Sequence, residues 1–204
     1  DPGLARVTLT SDGADTILLI GEKTPVHTNR YAKRADSPDV AVISPTLFDT
    51  ISQPADSFRD PMLLRFDTWV TDAVTITTPE RVLTLTRESL DWRLTQPVQD
   101  RADRAAVTNL LNSVSGLRIA RVVEEVPQTE QLAAWGFDTP KAELALSARG
   151  DPPFAVTVFF GKPLPEDGSL LYAKRSDEPA LYAVEATSVE ALLQDPNSLR
   201  ATAC

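Results

Sequence analysis

The sequence predicts an α+β fold built mainly on antiparallel sheets, with a few short helices. Three observations carry that expectation. Short runs of alternating apolar and polar residues recur along the chain, separated by Gly, Pro, Asp and Ser. Single helical stretches follow groups of such runs instead of alternating with them one by one. A hairpin–hairpin–helix order also occurs twice, with matching residues.

In the first of these blocks, Leu4 to Thr10 alternates through Val7 and Leu9, and Ser11-Asp12-Gly13 turns the chain. Thr16 to Ile20 is a second apolar run, ended by Gly21. Asp-Gly between two such runs is a hairpin signal. Tyr31 to Arg34 and Val40 to Ile43 flank Asp36-Ser37-Pro38-Asp39, a second hairpin. Thr46 then precedes Leu47, Phe48 and Ile51, with Asp49 three residues on; Thr187 and Glu190 repeat that relation. A hydroxyl at the cap and a carboxylate at the third helical position satisfy two backbone donors reciprocally, so a capped short helix is expected in each block.

The stretch between has its own pattern. Ala73 to Thr77 and Val82 to Thr86 read as Thr-rich strands joined through Pro79-Glu80-Arg81, and Trp92-Arg93-Leu94 as a third strand that Pro97 ends. A helix over 101–115, opened at Asp100 or Arg101, places Val107, Leu110, Leu111 and Val114 on one stripe, with Gly116 at its end. Ile119 to Val123 returns as a strand, and Thr129 to Trp135 reads as a short helix.

Comparing the chain with itself organises these elements. Tyr31-Ala32-Lys33-Arg34 recurs as Tyr172-Ala173-Lys174-Arg175, 141 positions later. Asp36 matches Asp177, Pro38 matches Pro179, Thr46 matches Thr187 and Arg59 matches Arg200. Upstream, Ile17 to Gly21 faces Thr157 to Gly161 at an offset of 140, so one residue is inserted in the intervening loop. Residues 1–62 and 136–204 are therefore expected to be two copies of one unit, with 63–135 present once. The second copy stops at Cys204 where the first runs on into Met62-Leu63-Leu64, which reads as a fragment of a longer protein.

Composition narrows the function. Twenty Lys plus Arg against 29 Asp plus Glu give a net charge of −9, which argues against nucleic acid as a partner. No apolar run is long enough to span a membrane as a helix, and the amino end lacks a secretory leader pattern. The single cysteine, Cys204, excludes an intrachain disulfide and a multi-cysteine metal site. His27 is the one histidine, so a Ser-His-Asp or Cys-His site would have to use it; it reads as a loop residue. Gly161-Lys162 lacks the other residues of a phosphate loop. Asp36 to Asp39 and Glu166-Asp167-Gly168 are too sparse for a calcium loop. Asp100 and Asp103 read as charges stabilised by a helix N-terminus. No catalytic set, metal or cofactor is expected.

The candidate binding residues are few. Lys33, Arg34, Lys174 and Arg175 form one basic pair per copy: either equivalent spots for an anionic group, or charged hairpins that blunt a sheet edge. Trp69, Trp92 and Trp135 lie in or beside the middle stretch, as core anchors or as ligand platforms.

Several motifs resemble one family. Gly136-Phe137-Asp138-Thr139-Pro140 is similar to the Gly-Leu-Asp-x-Pro opening of the bacterial domain-of-unknown-function 4340 family. Phe58-Arg59-Asp60 and Leu199-Arg200 are similar to its Leu-Arg-Asp step. Trp92 to Pro97, followed by Ala102-Asp103 and Leu110-Leu111, resembles its Trp-x-Leu-x-x-Pro strand and the helix after it. Copy one departs from the pattern, since Asp1-Pro2-Gly3-Leu4 scrambles the opening. The resemblance implies an envelope protein with an amino-terminal inner-membrane anchor, not in this chain, and repeated extracytoplasmic, periplasmic domains. It further implies a setting beside ABC-type export systems related to gliding-motility auxiliary proteins, and it supplies no catalytic residues. The leading expectation is a non-catalytic interaction module of an envelope assembly, with protein partners such as ABC transporter components. The alternative is small-molecule or glycan binding in a crevice between lobes; a hydrolase using His27 or a carboxylate pair ranks third.

Overall fold

The computed structural model describes residues 4–25, 28–149 and 153–201; His27 and Cys204 lie outside them. It consists mostly of antiparallel sheet, with short helices, in two compact units, Asp1–Arg59 and Asp60–Cys204. The stretch 63–135 thus shares a unit with 136–204.

The first unit is a four-stranded sheet in the order β1 (Ala5–Ser11), β2 (Ala14–Lys23), β3 (Arg30–Arg34) and β4 (Ala41–Ile43), followed by helix α1 (Pro45–Ile51). Asp12 and Gly13 close the first hairpin with φ of 51° and 77°, the mirror-image two-residue turn that suits the twist of the flanking strands. Ile20 pairs with Ala5 on one side and Ala32 on the other, and these three side chains share one face. On that face Arg30 is buried, with its guanidinium 3.6 Å from the centre of the Phe48 ring on α1. Leu19, Gly21, Tyr31 and Lys33 belong to the opposite face.

The expected Thr46–Asp49 cap does not form. Ser44 is the cap, its hydroxyl accepting from the Thr46 amide at 3.3 Å. Pro45 explains the shift: it has no N–H to satisfy and its fixed φ suits a first helical position, so the helix starts ahead of Thr46. In the second unit α4 (Ala186–Glu190) begins after Glu185, also without the Thr187–Glu190 box. There the Ala186 amide donates to the Ser169 carbonyl at 2.8 Å, so a neighbouring loop does the work of a cap.

The second unit is one nine-stranded sheet, in the order β8 (Asp100–Arg101), β7 (Asp91–Gln96), β6 (Val82–Glu88), β5 (Thr71–Thr77), β10 (Ala142–Ala148), β11 (Phe154–Pro163), β12 (Leu170–Arg175), β13 (Leu181–Glu185) and β9 (Ile119–Glu124). Strands β5, β6 and β7 form a meander. Strands β10, β11, β12 and β13 form another, joined to the first where β5 meets β10. Strand β9 closes the far edge against β13. The pair Asp100–Arg101, expected to open a helix, is instead strand β8 against β7. Helix α2 spans Arg104–Ser115, because Asp103 is its cap and accepts from the Ala106 amide at 2.8 Å. Asp100 meets Arg200 instead of a helix end. The last expected helix is also shorter: α3 spans Thr129–Leu132, and the chain turns at Gly136, whose φ is +87°.

The stripe Val107, Leu110, Leu111 and Val114 is buried as expected. It packs on one sheet face, made of alternate residues such as Val74, Leu85, Leu94, Leu144, Val158 and Ala173. The other face carries a smaller cluster of Leu164, Tyr172, Leu181 and Ala183, against which Trp135 and Phe137 pack. Leu110 is fully buried, so Leu110→Ala is expected to destabilise this unit by about 3 kcal/mol in denaturant titration, from lost transfer energy and an incompletely collapsed cavity.

Candidate functional site

Strands β1–β4 of the first unit and β10–β13 of the second share strand order, and β2–β3 and β11–β12 share register. Leu18, Leu19 and Ile20 oppose Arg34, Lys33 and Ala32, and Val158, Phe159 and Phe160 oppose Arg175, Lys174 and Ala173. Candidate residues can therefore be compared position by position.

Neighbouring strand residues point to opposite faces, so neither Lys-Arg pair is one basic spot. Arg34 bonds Asp36 with both prongs of its fork, at 2.9 and 2.6 Å, and Arg175 bonds Asp177 with the same two distances. The planar guanidinium matches a carboxylate in this way, and the hairpin loop sits across the end of its own strand. Arg175 does more: it also donates to the Leu63 carbonyl at 3.1 Å and meets Glu178. Lys174 donates to the Arg175 and Glu178 carbonyls. Lys33 lies on the opposite face from Arg34. The Arg175 hydrogen bond holds the Asp177 carboxyl below the ordinary aspartate range, against a smaller opposing effect of burial.

The three tryptophans occupy different places in the second unit. Trp92 is buried in the main core, with the Arg87 guanidinium 5.5 Å from its ring centre. Trp69 lies in the turn before β5 and is exposed, its carbonyl accepting from Arg87. Trp135 follows α3 and stacks at a tilt on Tyr172, with centroids 5.8 Å apart. They do not converge on one pocket.

One concave feature was not singled out from the sequence. On the first unit, Leu4, Leu19, Gly21, Tyr31, Lys33 and Val40 line a slot of about 290 Å³. Its counterpart on the second unit is filled. The Trp135 carbonyl accepts from the Lys162 amide at 2.8 Å, and a Cβ built on Gly161 would lie 2.2 Å from that same carbonyl oxygen. Phe137 reaches the same glycine. Only a residue without a side chain admits this crossing. The signal for the slot was in the repeat: glycine at 21 and 161, and tyrosine at 31 and 172, are kept in register.

Among the described residues no group of three or more His, Cys, Asp or Glu is placed to hold a metal ion, and no helix is long and apolar enough to cross a membrane. Family comparison gives a result that covers the whole chain: the DUF4340 model, a domain of unknown function, matches residues 1–125 and again 92–204. The chain belongs to the DUF4340 family. Comparison with curated proteins and with solved structures gives no significant match. In this DUF4340 chain, the Gly136–Pro140 stretch on which the resemblance rested is the one that crosses Gly161.

Three outcomes follow from this geometry. Gly161→Ala is expected to destabilise the second unit by about 1–3 kcal/mol, because its Cβ would overlap the Trp135 backbone, while Gly21→Ala melts like wild type. Arg175→Ala is expected to lower stability by about 2 kcal/mol by calorimetry, since it leaves the Leu63 carbonyl and Asp177 without their donor. The Asp177 carboxyl is lowered by folding, so its contribution is fully present above the ordinary aspartate value and is lost as pH falls through the lower folded value. Asp177→Asn should flatten that part of the melting-temperature profile below about pH 4.

Proposed function

We propose that this DUF4340 chain is a non-catalytic interaction module of a bacterial envelope assembly. In this reading it is extracytoplasmic, held at the inner membrane by an anchor outside these 204 residues. Its two meander-plus-helix blocks are copies of one hairpin–hairpin–helix unit, and its partners are components of an ABC-type transporter. The observation that carries the reading is the apolar surface of the first unit: Leu4, Tyr31, Val40 and Val42 are all exposed, and Tyr31 pairs with Val42 across β3 and β4. Exposed apolar patches of this kind mark contact surfaces more often than reaction centres. Of the candidate basic side chains, Arg34 and Arg175 are drawn into hairpin-closing ion pairs with Asp36 and Asp177, which favours apolar contact as the recognition chemistry.

The test is affinity purification of the full-length protein from gently solubilised membranes, with the co-purifying proteins identified by mass spectrometry. ABC-type transport components are expected in stoichiometric amount. Recovery of the protein alone, at detergent concentrations that keep neighbouring complexes intact, overturns the reading.

A further inference from the structure

The second unit leaves large apolar side chains exposed at one end of its sheet. Trp69 is 72% exposed and Leu90 75% exposed, and Val70 beside Trp69 is exposed as well. Trp69 and Val70 belong to the turn before β5. Leu90 lies in the two-residue turn between β6 and β7, where Glu88 pairs with Asp91. Ala73 pairs with Thr86 across β5 and β6; carried two residues past each strand end, that register sets Trp69 level with Leu90. The Arg87 guanidinium on β6 donates to the Trp69 carbonyl, so the turn and the hairpin meet.

Neither turn owes its shape to these side chains. The Asp67 carboxylate accepts from the Trp69 amide at 2.8 Å, and the Asp67 carbonyl accepts from the Thr71 amide and hydroxyl at 3.2 and 2.9 Å. Ser89 takes the left-handed position of the other turn, with φ 59°. Leu90 follows it, where small or polar residues are usual. Arg87 sits between the Trp69 carbonyl and the buried Trp92, 5.5 Å from that ring's centre, so the tip rests on the core. Backbone bonds and Arg87 hold the tip, and its apolar side chains are left to the surroundings.

Shape, size and charge say what they meet. The three side chains stand on the tips of two turns, and their apolar area falls well short of the roughly 800 Å² per partner that a stable protein interface buries. Tryptophan, with a large apolar ring and one polar N–H, suits the boundary between water and lipid. Asp67, Glu88 and Asp91 around the tip are exposed, and Arg93 is paired with Glu88. Such a tip is repelled by an anionic surface and fits a zwitterionic one.

We propose that Trp69, Val70 and Leu90 form a lipid-contact tip that enters the boundary between headgroups and acyl chains of a zwitterionic bilayer. Trp69 lies at the headgroup level with Leu90 beside it, and the sheet behind them stays in water. The proposal goes beyond the interaction reading above and does not depend on it, because its test contains lipid and no transporter component.

Three side chains partition weakly by themselves, so the experiment supplies proximity. The 204-residue chain, hexahistidine-tagged at its amino or its carboxyl end, is held on phosphatidylcholine vesicles containing a nickel-chelating lipid. Its tryptophan fluorescence is compared with and without brominated acyl chains, which quench a ring that reaches them. Quenching is expected with at least one of the two tags, and it should disappear in Trp69→Phe, since Trp92 is buried. Leu90→Asp should reduce it at least about twofold, because a carboxylate must lose its water to enter lipid. That variant folds, the position being an exposed turn. Raising salt from about 0.1 M to about 1 M should leave the quenching unchanged. Absence of quenching with both tags overturns the proposal, as does quenching that survives Trp69→Phe or is indifferent to Leu90→Asp. Quenching lost at high salt also overturns it, the contact then being electrostatic. Self-association of the untethered chain that depends on Trp69 and Leu90 overturns it too, the tip then being a contact between copies.

Discussion

A β-sheet that is apolar on both faces has two faces and two edges to cover, and how each is covered governs what this protein presents to its surroundings. On the second unit strands β10–β13 have both outer sides paired and much of both faces covered from within. Helix α2 lays its stripe on one face, and Trp135 and Phe137 close part of the other. Strand β5 takes the outer side of β10, and β9 takes the outer side of β13. Residues 63–135, which looked like a separate segment, supply most of this cover. The first unit has the same four strands in the same order, and among its described residues only Ile20 and Ala32 are buried apolar side chains.

The sequence told most about elements whose cause is local. The Asp12-Gly13 hairpin needs two positive φ angles, which Asp and Gly tolerate, and it was readable from those two residues. The α2 stripe was readable because 3.6-residue periodicity is a property of one continuous stretch. Helix ends were less legible. Pro45 moved the start of α1 ahead of Thr46, and Asp103 rather than Asp100 capped α2, since a cap depends on which backbone donors remain unpaired. Strand β8 could not be read from Asp100-Arg101 alone, because a two-residue strand exists only through its partner β7. The joining of β5 to β10 and of β13 to β9 is likewise a long-range choice that no local pattern encodes.

The candidate site was half legible for the same reason. Tyr-Ala-Lys-Arg stood out as a repeated string, and its basic residues drew attention first. Strand alternation separates them, and each arginine is engaged by an aspartate two residues on. The repeat mattered through its less conspicuous members. Gly161 keeps a strand free of a side chain where a second backbone crosses, with Tyr172 beside it, and Gly21 and Tyr31 hold the matching positions on the first unit. Recognising that role required the coordinates, because the crossing segment of the second unit comes from a turn about 25 residues earlier in sequence, at Gly136.

Arg30 shows how the first unit satisfies one position on the face opposite the slot. Its position corresponds to Leu171, which belongs to the main core of the second unit. An apolar residue there needs an apolar cover such as α2. A guanidinium does not: Arg30 rests on the Phe48 ring, contributed by α1, and donates to the Gly21 carbonyl at 3.3 Å. The charge is satisfied by an aromatic face and a backbone oxygen, so the unit's own short helix covers this position. The same hydrogen bond ties down the carbonyl of Gly21, fixing the floor of the slot from behind. An arginine satisfied by its own unit thus stands where the matching strand of the second unit places a core leucine, and it needs no apolar cover at that position.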